Sequence, residues 1–367
     1  MTATVHVPIP GAEYDVTIGR GLLGSLGGQL RPLTEAARVA LVTDSVVASL
    51  HASLVDAGLA QADFAVSAMT VPAGESSKSW QMAGDIVEAL AAARLDRSDL
   101  IVAVGGGVVG DLAGFASAVY LRGIPFVQVP TTLLAMVDSS VGGKTAVDLR
   151  AGKNLAGAFK QPLWVLADVA TLDTLPVPEW RSGLAEAAKS AVLDGEDFLG
   201  WMEARPELGD GPTADTEELV KRCVEFKAGV VGRDEKEEGP RECLNYGHTL
   251  GHAIETVAGF GVVAHGAAVA EGMRFAARVA MDRGLTDIEF VKRQDRLLDA
   301  LGLPPLDIEL APEPLFDAMH SDKKVRGGAV RLVLAESPGV WSCQVVEDAV
   351  IRAHLEAWAS TKGRDDR

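Results

Sequence analysis

The sequence predicts an α/β fold, a mainly parallel sheet domain followed by a mostly α-helical one. Two observations carry that prediction. In the first half of the chain, short β-branched apolar runs alternate with stretches of helical periodicity, the pattern of βαβ units. After Pro176-Val177-Pro178 the strand-like runs cease until Val330–Leu334, and one helical pattern follows another. A boundary is therefore expected near residue 176, with domains at 1–176 and 177–367.

Taken in order, Arg38–Thr43 (RVALVT) reads as a strand and the alanine-rich stretch after Asp44 as a helix. Phe64–Val71 is a further strand, and Lys78–Arg94 an amphipathic helix. Leu100–Val104 (LIVAV), bounded by Asp99 and Gly105, is apolar at every position, as a strand covered on both faces must be. Phe126–Val129 and Leu163–Leu166 repeat that character. Leu100–Leu121 is apolar enough to resemble a membrane span, but Asp111 and five glycines divide it into strand, turn and helix. The last residues, 362–367, read as a frayed end.

The bulk numbers narrow the function. With 48% apolar and 23% charged residues, the 367-residue chain has the make-up of a globular enzyme. A net charge of -17 repels nucleic acid and anionic lipid, so neither is an expected partner. It also repels an anionic substrate at long range, so any anion site must gather its own cations and backbone N–H groups. Cys223, Cys243 and Cys343 are widely spaced and form no C-x-x-C pair, which speaks for a reducing compartment. MTATVHVPIP has no basic segment leading into an apolar one, so the expected location is the cytoplasm.

Four groups of residues could carry chemistry. Gly105-Gly106-Gly107-Val108-Val109-Gly110-Asp111 follows the LIVAV strand and opens a helix, where unpaired N–H groups can meet a pyrophosphate. The spacing is not G-x-G-x-x-G, and a tight strand–helix turn would use the same glycines. Gly74-Glu75-Ser76-Ser77-Lys78 also joins a strand to a helix. There Glu75 could hold ribose hydroxyls and Lys78 a phosphate, or the segment could simply cap the helix. Arg122, Thr131-Thr132, Asp138, Lys144, Lys153 and Asn154 place polar and basic groups among glycines. The G-x-x-x-x-G-K-[ST] phosphate loop fails here, because Asp138 stands where its first glycine belongs.

The fourth group is the densest. Glu186 and Lys189 lie three apart in a helical pattern, hence on one face. Arg241, Asn245-Tyr246-Gly247-His248 and His252 follow, then His265; three of the seven histidines fall within eighteen residues. His248 and His252 are four apart and share a helical face. Thr249 replaces the glutamate of H-E-x-x-H, so this is not that protease motif. A carboxylate and two imidazoles, with a position left for substrate oxygens, would make a catalytic zinc site, and spacing alone favours the His248/His252 pair. Asp322-Lys323-Lys324 adds cations that a solvated turn would equally explain.

In order, from Gly74 to Gly328, these segments resemble the 3-dehydroquinate synthase family: Gly-Glu-x-x-Lys-Ser, GGGVVGDLAGFASAVYLRGIPFVQVPTTLLAMVDSSVGGKTAV, GKNLAGAF, RSGLAEAAK, LNYGHTLGHA, His265-Gly266 and DKK. The resemblance implies a Rossmann-like NAD-binding domain, a helical metal- and substrate-binding domain, and an active site in the cleft between them. Its metal ligands would be Glu186, His248 and His265, with zinc or cobalt bound, and His252 would become catalytic instead of a ligand. NAD would meet Glu75, Lys78, Gly107, Val108, Val109, Gly110, Asp111, Thr131, Thr132, Lys144, Lys153, Thr171, Leu172, Asp173 and Thr174. The substrate would meet Arg122, Asp138, Lys144, Asn154, Lys189, Lys227, Arg241, Asn245, Lys323 and Lys324. Two departures stand out: Ala267 replaces a glutamate common in the family after His-Gly, and Asp148 stands where Asn is also common.

The reaction implied is the cyclisation of 3-deoxy-D-arabino-heptulosonate 7-phosphate. NAD oxidises a ring hydroxyl, phosphate is eliminated, the hydride returns, the ring opens, and an intramolecular aldol closes the carbocycle. Self-association as a homodimer is left open. The rival readings are a sister sugar-phosphate cyclase of the aminodehydroquinate or valiolone type, a metal-dependent polyol dehydrogenase that releases NADH, and a non-enzymatic phosphosugar binder.

Overall fold

The computed structural model describes residues 2–259, 261–321 and 329–362. They form two compact units, Met1–Leu175 with Ala214–Lys236, and Pro176–Thr213 with Glu237–Arg367.

The first unit is built on seven strands: β1 (Ala3–Val7), β2 (Tyr14–Gly19), β3 (Arg38–Asp44), β4 (Ala65–Val71), β5 (Leu100–Gly105), β6 (Phe126–Pro130) and, after a separate hairpin, β9 (Trp164–Asp168). Their order is β1-β2-β9-β6-β5-β3-β4, parallel throughout except for the β1–β2 pair. Alternation along the strands divides the core in two. Ala40, Val42, Ile101 and Ala103 face a cluster with Ile86, Leu90, Leu112 and Ala116. Val39, Leu41, Leu100, Val102 and Val104 face the other side, with Leu26, Leu30, Val55 and Leu59. Burial on both faces is why β5 carries no polar residue. The chain runs from β3 outward to β4 and returns to β5 on the other side of β3, so the connections reverse there. At such a point the carboxyl ends of the strands leave a crevice for ligands.

Two features depart from expectation. The stretch from Lys144 to Phe159, to which no element was assigned from sequence, is an antiparallel hairpin, β7 (Lys144–Leu149) and β8 (Gly152–Phe159), lying on the helix Gly107–Val119. A Cβ on Gly114 would stand 2.4 Å from Thr145 Cγ2, so glycine lets that hairpin close on the helix. The single boundary at 176 also misses the return of Ala214–Lys236 to the first unit. The helix Thr216–Arg233 buries Leu219, Val220, Cys223, Val224, Val230 and Val231, and it contacts β1 and β2. A Cβ on its Gly232 would come within 2.8 Å of Pro8.

The second unit is helical, with one hairpin of β10 (Arg331–Ser337) and β11 (Val340–Val345). Its centre is three helices, Val177–Asp194, His248–Ala258 and His265–Asp282. They touch backbone to backbone at glycines. A Cβ would meet Ser182 Cα at 2.4 Å if added to Gly266, Gly247 O at 1.8 Å if added to Gly272, and Ala268 O at 3.1 Å if added to Gly251. No side chain larger than hydrogen fits the first two positions without moving a helix. Among the described residues, no helix is long and apolar enough to cross a membrane.

Candidate functional site

In the first unit, the residues expected to meet NAD gather at the carboxyl ends of the parallel strands. Gly105 ends β5 and the helix starts at Gly107. Thr131 and Thr132 follow β6, Glu75 and Lys78 follow β4, and Thr171–Thr174 follow β9. Several of these glycines serve packing: a Cβ would meet Val109 at 2.6 Å from Gly105 and Gln128 Oε1 at 2.7 Å from Gly110. At Gly107 it would meet Ser139 Oγ at 3.1 Å. Val109 is itself buried in the core, so there a ligand could use only backbone.

The charged members pair with one another. Lys78 Nζ lies 2.5 Å from Asp111 Oδ2, both largely buried, and Lys153 lies 3.7 Å from Glu75. Burial disfavours the Lys78 ammonium, but Asp111 more than offsets it and holds its pKa above the usual lysine value. Asp148 knits the hairpin to this edge, its N–H donating to Lys78 O and its carboxylate accepting from Asn154 N at 2.7 Å. Lys227, buried on the returning helix, donates to both Asp138 O and Asp138 Oδ1 at 2.6 Å. Asp138 sits in a π-turn, Ala135–Ser139, that breaks helical register after Thr132. Lys144 and Asn154 are exposed, Asn154 with φ +54°.

Arg122, assigned to the substrate, is exposed, beyond the far end of the 13-residue helix that starts at Gly107. Two expected cofactor contacts fit less well. Leu172 is buried in the core, and Asp173 is held by Arg20 at 2.6 and 2.9 Å. Side-chain contacts to a cofactor would have to come from their neighbours Thr171 and Thr174, whose hydroxyls donate to backbone carbonyls.

The fit to a dinucleotide can be judged on polar atoms alone. The hydroxyls of Thr131 and Ser139 are buried without a hydrogen-bond partner, next to a helix N-terminus with unpaired N–H groups. Buried polar groups are normally satisfied, so these are atoms a bound phosphate or ribose would satisfy. Sequence reasoning assigned nothing to Ser139.

In the second unit, Glu186 and Lys189 sit on the helix Val177–Asp194, His248 and His252 on the helix His248–Ala258, and His265 opens the next helix. The glycine contacts described above bring them together. His248 Nε2 and His265 Nε2 lie 3.3 and 3.5 Å from Glu186 Oε1, and the Lys189 ammonium lies against Oε2. Glu186 is 1% exposed, yet neither oxygen makes a well-aligned hydrogen bond. One donor atom from each of Glu186, His248 and His265 falls within 4.8 Å of the others. A buried carboxylate with the Lys189 ammonium against one oxygen and two imidazole nitrogens turned toward the other is a donor set that fits a divalent cation.

His252 belongs to a second, overlapping group. Its donor atoms lie within 4.8 Å of those of Glu255 and His265, and the three histidine rings are 5.4–6.2 Å apart. His265 Nδ1 is 3.2 Å from Glu255 Oε2, and His248 Nδ1 is 3.0 Å from Tyr246 O. Sequence reasoning passed over Glu255, although it lies seven residues after His248 and three after His252, on the same helical face.

The electrostatics follow from this crowding. Burial pushes Glu186 up, but Lys189 and His248 outweigh it and hold the carboxyl well below the usual range. Burial lowers the His265 pKa, yet the Glu186 and Glu255 carboxylates on either side push it up to about 9. Arg241 is buried in the same unit, in a 3₁₀ turn with Asn245, whose amide donates to Glu237 at 2.7 Å. Asp322, Lys323 and Lys324 lie outside the described residues.

Known proteins resemble the chain along most of its length. The family model described as 3-dehydroquinate synthase N-terminal matches residues 68–182, and the one described as 3-dehydroquinate synthase C-terminal matches residues 183–325. The 3-dehydroquinate synthase of Desulforamulus reducens is 44% identical over 338 residues, which cover 92% of this chain and 94% of that one. A 2-deoxy-scyllo-inosose synthase, solved with carbaglucose-6-phosphate, NAD+ and Co2+, has a TM-score of 0.89 at 26% identity, covering 97% of this chain and 99% of its own. A 2-epi-5-epi-valiolone synthase from Streptomyces hygroscopicus, solved with NAD+ and Zn2+, has a TM-score of 0.86 at 27% identity, covering 95% and 97%.

Proposed function

We propose, for a chain that belongs to the 3-dehydroquinate synthase family, that its reaction is the conversion of 3-deoxy-D-arabino-heptulosonate 7-phosphate to 3-dehydroquinate and phosphate. The observation that carries this reading is the pair of imidazole nitrogens turned toward one oxygen of buried Glu186. Glu186, His248 and His265 hold a zinc or cobalt ion, as the solved cyclases named above hold Zn2+ or Co2+. NAD is held at the Gly105–Asp111 turn with Lys78, Thr131 and Ser139. When bound, the cofactor supplies reversible hydride transfer and the ion polarises a substrate oxygen.

The chain's own residues do the rest. Arg241, Lys189 and Asn245 supply donors for an anionic substrate that the net charge of -17 would otherwise repel. Asp138 accepts two contacts from Lys227, which fixes that ammonium in a buried position and orients it. His252, one helical turn from His248, moves a proton in this reading and is not a ligand.

The competing reading is a sister cyclase, the activity named for the two solved structures. Their identity to this chain, 26–27%, is well below the 44% shared with the D. reducens synthase. The test supplies the heptulosonate phosphate with NAD and zinc, and follows the product by coupling it to a dehydratase and reading absorbance. Steady growth of absorbance is expected. No growth, with turnover of an aminated or uncarboxylated sugar phosphate, would give the site to a sister cyclase.

A further inference from the structure

We infer that Glu255 is a positioning residue that sets the tautomer and ring orientation of His265 for the metal ion; this rests on reading Glu186, His248 and His265 as the ligands. The two imidazoles are tethered alike. His248 points Nε2 toward Glu186 Oε1 and sets Nδ1 3.0 Å from Tyr246 O. His265 points Nε2 toward the same oxygen and sets Nδ1 3.2 Å from Glu255 Oε2. A carbonyl and an ionised carboxylate both accept only, so each Nδ1 keeps its hydrogen and each Nε2 presents its lone pair to the ion.

The Tyr246 tether is held from behind. The Tyr246 hydroxyl donates to Gln294 Oε1 at 2.6 Å, and the Gln294 amide donates to Met273 O at 3.1 Å. Glu255 is buried and shares the helical face of His248 and His252. Its carboxylate is a stronger acceptor than a carbonyl, so it also raises the donor strength of His265. The alternative makes Glu255 a ligand with His252 and His265, whose donor atoms are also within 4.8 Å. That use would turn His265 Nδ1 into the ligating nitrogen, while its Nε2 and that of His248 face Glu186 instead.

The test titrates Co2+ into the full, metal-stripped chain and follows the visible cobalt absorption, with a melting curve of each metal-free variant. Glu255→Ala is expected to weaken Co2+ about 10- to 100-fold and to shift the cobalt bands, with Glu255→Gln between it and the parent. His248→Ala and Glu186→Ala should lose far more. Parent-like affinity and spectrum in both Glu255 variants would overturn the inference alone. Loss as complete as in His248→Ala would make Glu255 a ligand and overturn it too. If His248→Ala and Glu186→Ala also bound normally, the ligand assignment itself would fail. Should the alanine variant not fold, the near-isosteric glutamine variant decides the matter.

Discussion

Arg241, one of the cations assigned to the substrate, is buried in an acidic protein. A carboxylate or phosphate can take its fork of donors bidentately, which an ammonium cannot reproduce. Arg241→Ala should therefore lower kcat/KM by about 2–4 kcal/mol, and Arg241→Lys should fall well short of neutral, with metal content unchanged in both. Normal kinetics in the alanine variant would remove the anion site from this position. The histidines divide differently. His248→Ala should lose most of its bound zinc, whereas His252→Ala should keep zinc and lose turnover; metal analysis beside a rate assay distinguishes them. His265 adds a pH dependence. Raised to about 9, it carries a proton at neutral pH in the metal-free chain, and an imidazolium cannot ligate. Zinc affinity should climb with pH until about 9, with about one proton released per ion near pH 7.5, measurable by calorimetry in buffers of different ionisation enthalpy. Zero release would show that His265 is already neutral. The sign for stability is opposite: the metal-free fold keeps this contribution below about pH 6.5 and loses it as pH rises through 9.

At the scale of elements, legibility tracked burial. Strands β3, β5, β6 and β9 are covered on both faces, so their runs are continuously apolar and stand out in the sequence. The hairpin β7–β8 alternates buried Thr145 and Val147 with exposed Lys144, Leu149 and Asn154, amid glycines, and offers no continuous apolar run to mark a strand. The helix Thr216–Arg233 lies in the stretch read as successive helices, but periodicity does not tell which unit its apolar stripe will cover. The metal group was half legible. Spacing along one helix singles out His248 and His252, whereas Glu186 and His265 arrive from other helices, through contacts that only glycine permits. Those contacts yield a paired prediction. Gly272→Ala would put a Cβ 1.8 Å from Gly247 O, forcing apart the helices that carry His248 and His265. It should cost about 1–3 kcal/mol and weaken zinc binding. Gly229→Ala, in a helix with nothing within 4 Å of the added atom, should stabilise by about 0.4–1 kcal/mol. Thermal melts with and without zinc compare the two; equal melting temperatures would show that the close approach does not position the ligands.

The whole molecule carries, in one chain with a net charge of -17, a parallel-sheet unit and a helical unit that clusters Glu186, His248 and His265. A dehydrogenase could be built from the same parts, since hydride transfer and Lewis-acid help suit both reactions. What sets the cyclase apart is that the hydride returns within each turnover, so NAD acts catalytically while phosphate leaves for good. The most direct measurement is therefore phosphate release from the heptulosonate phosphate with NAD far below substrate, while absorbance at the NADH band is recorded. Many phosphates released per NAD, with no lasting NADH, is the predicted result. One NADH accumulating per substrate consumed, or no phosphate release at all, would contradict it.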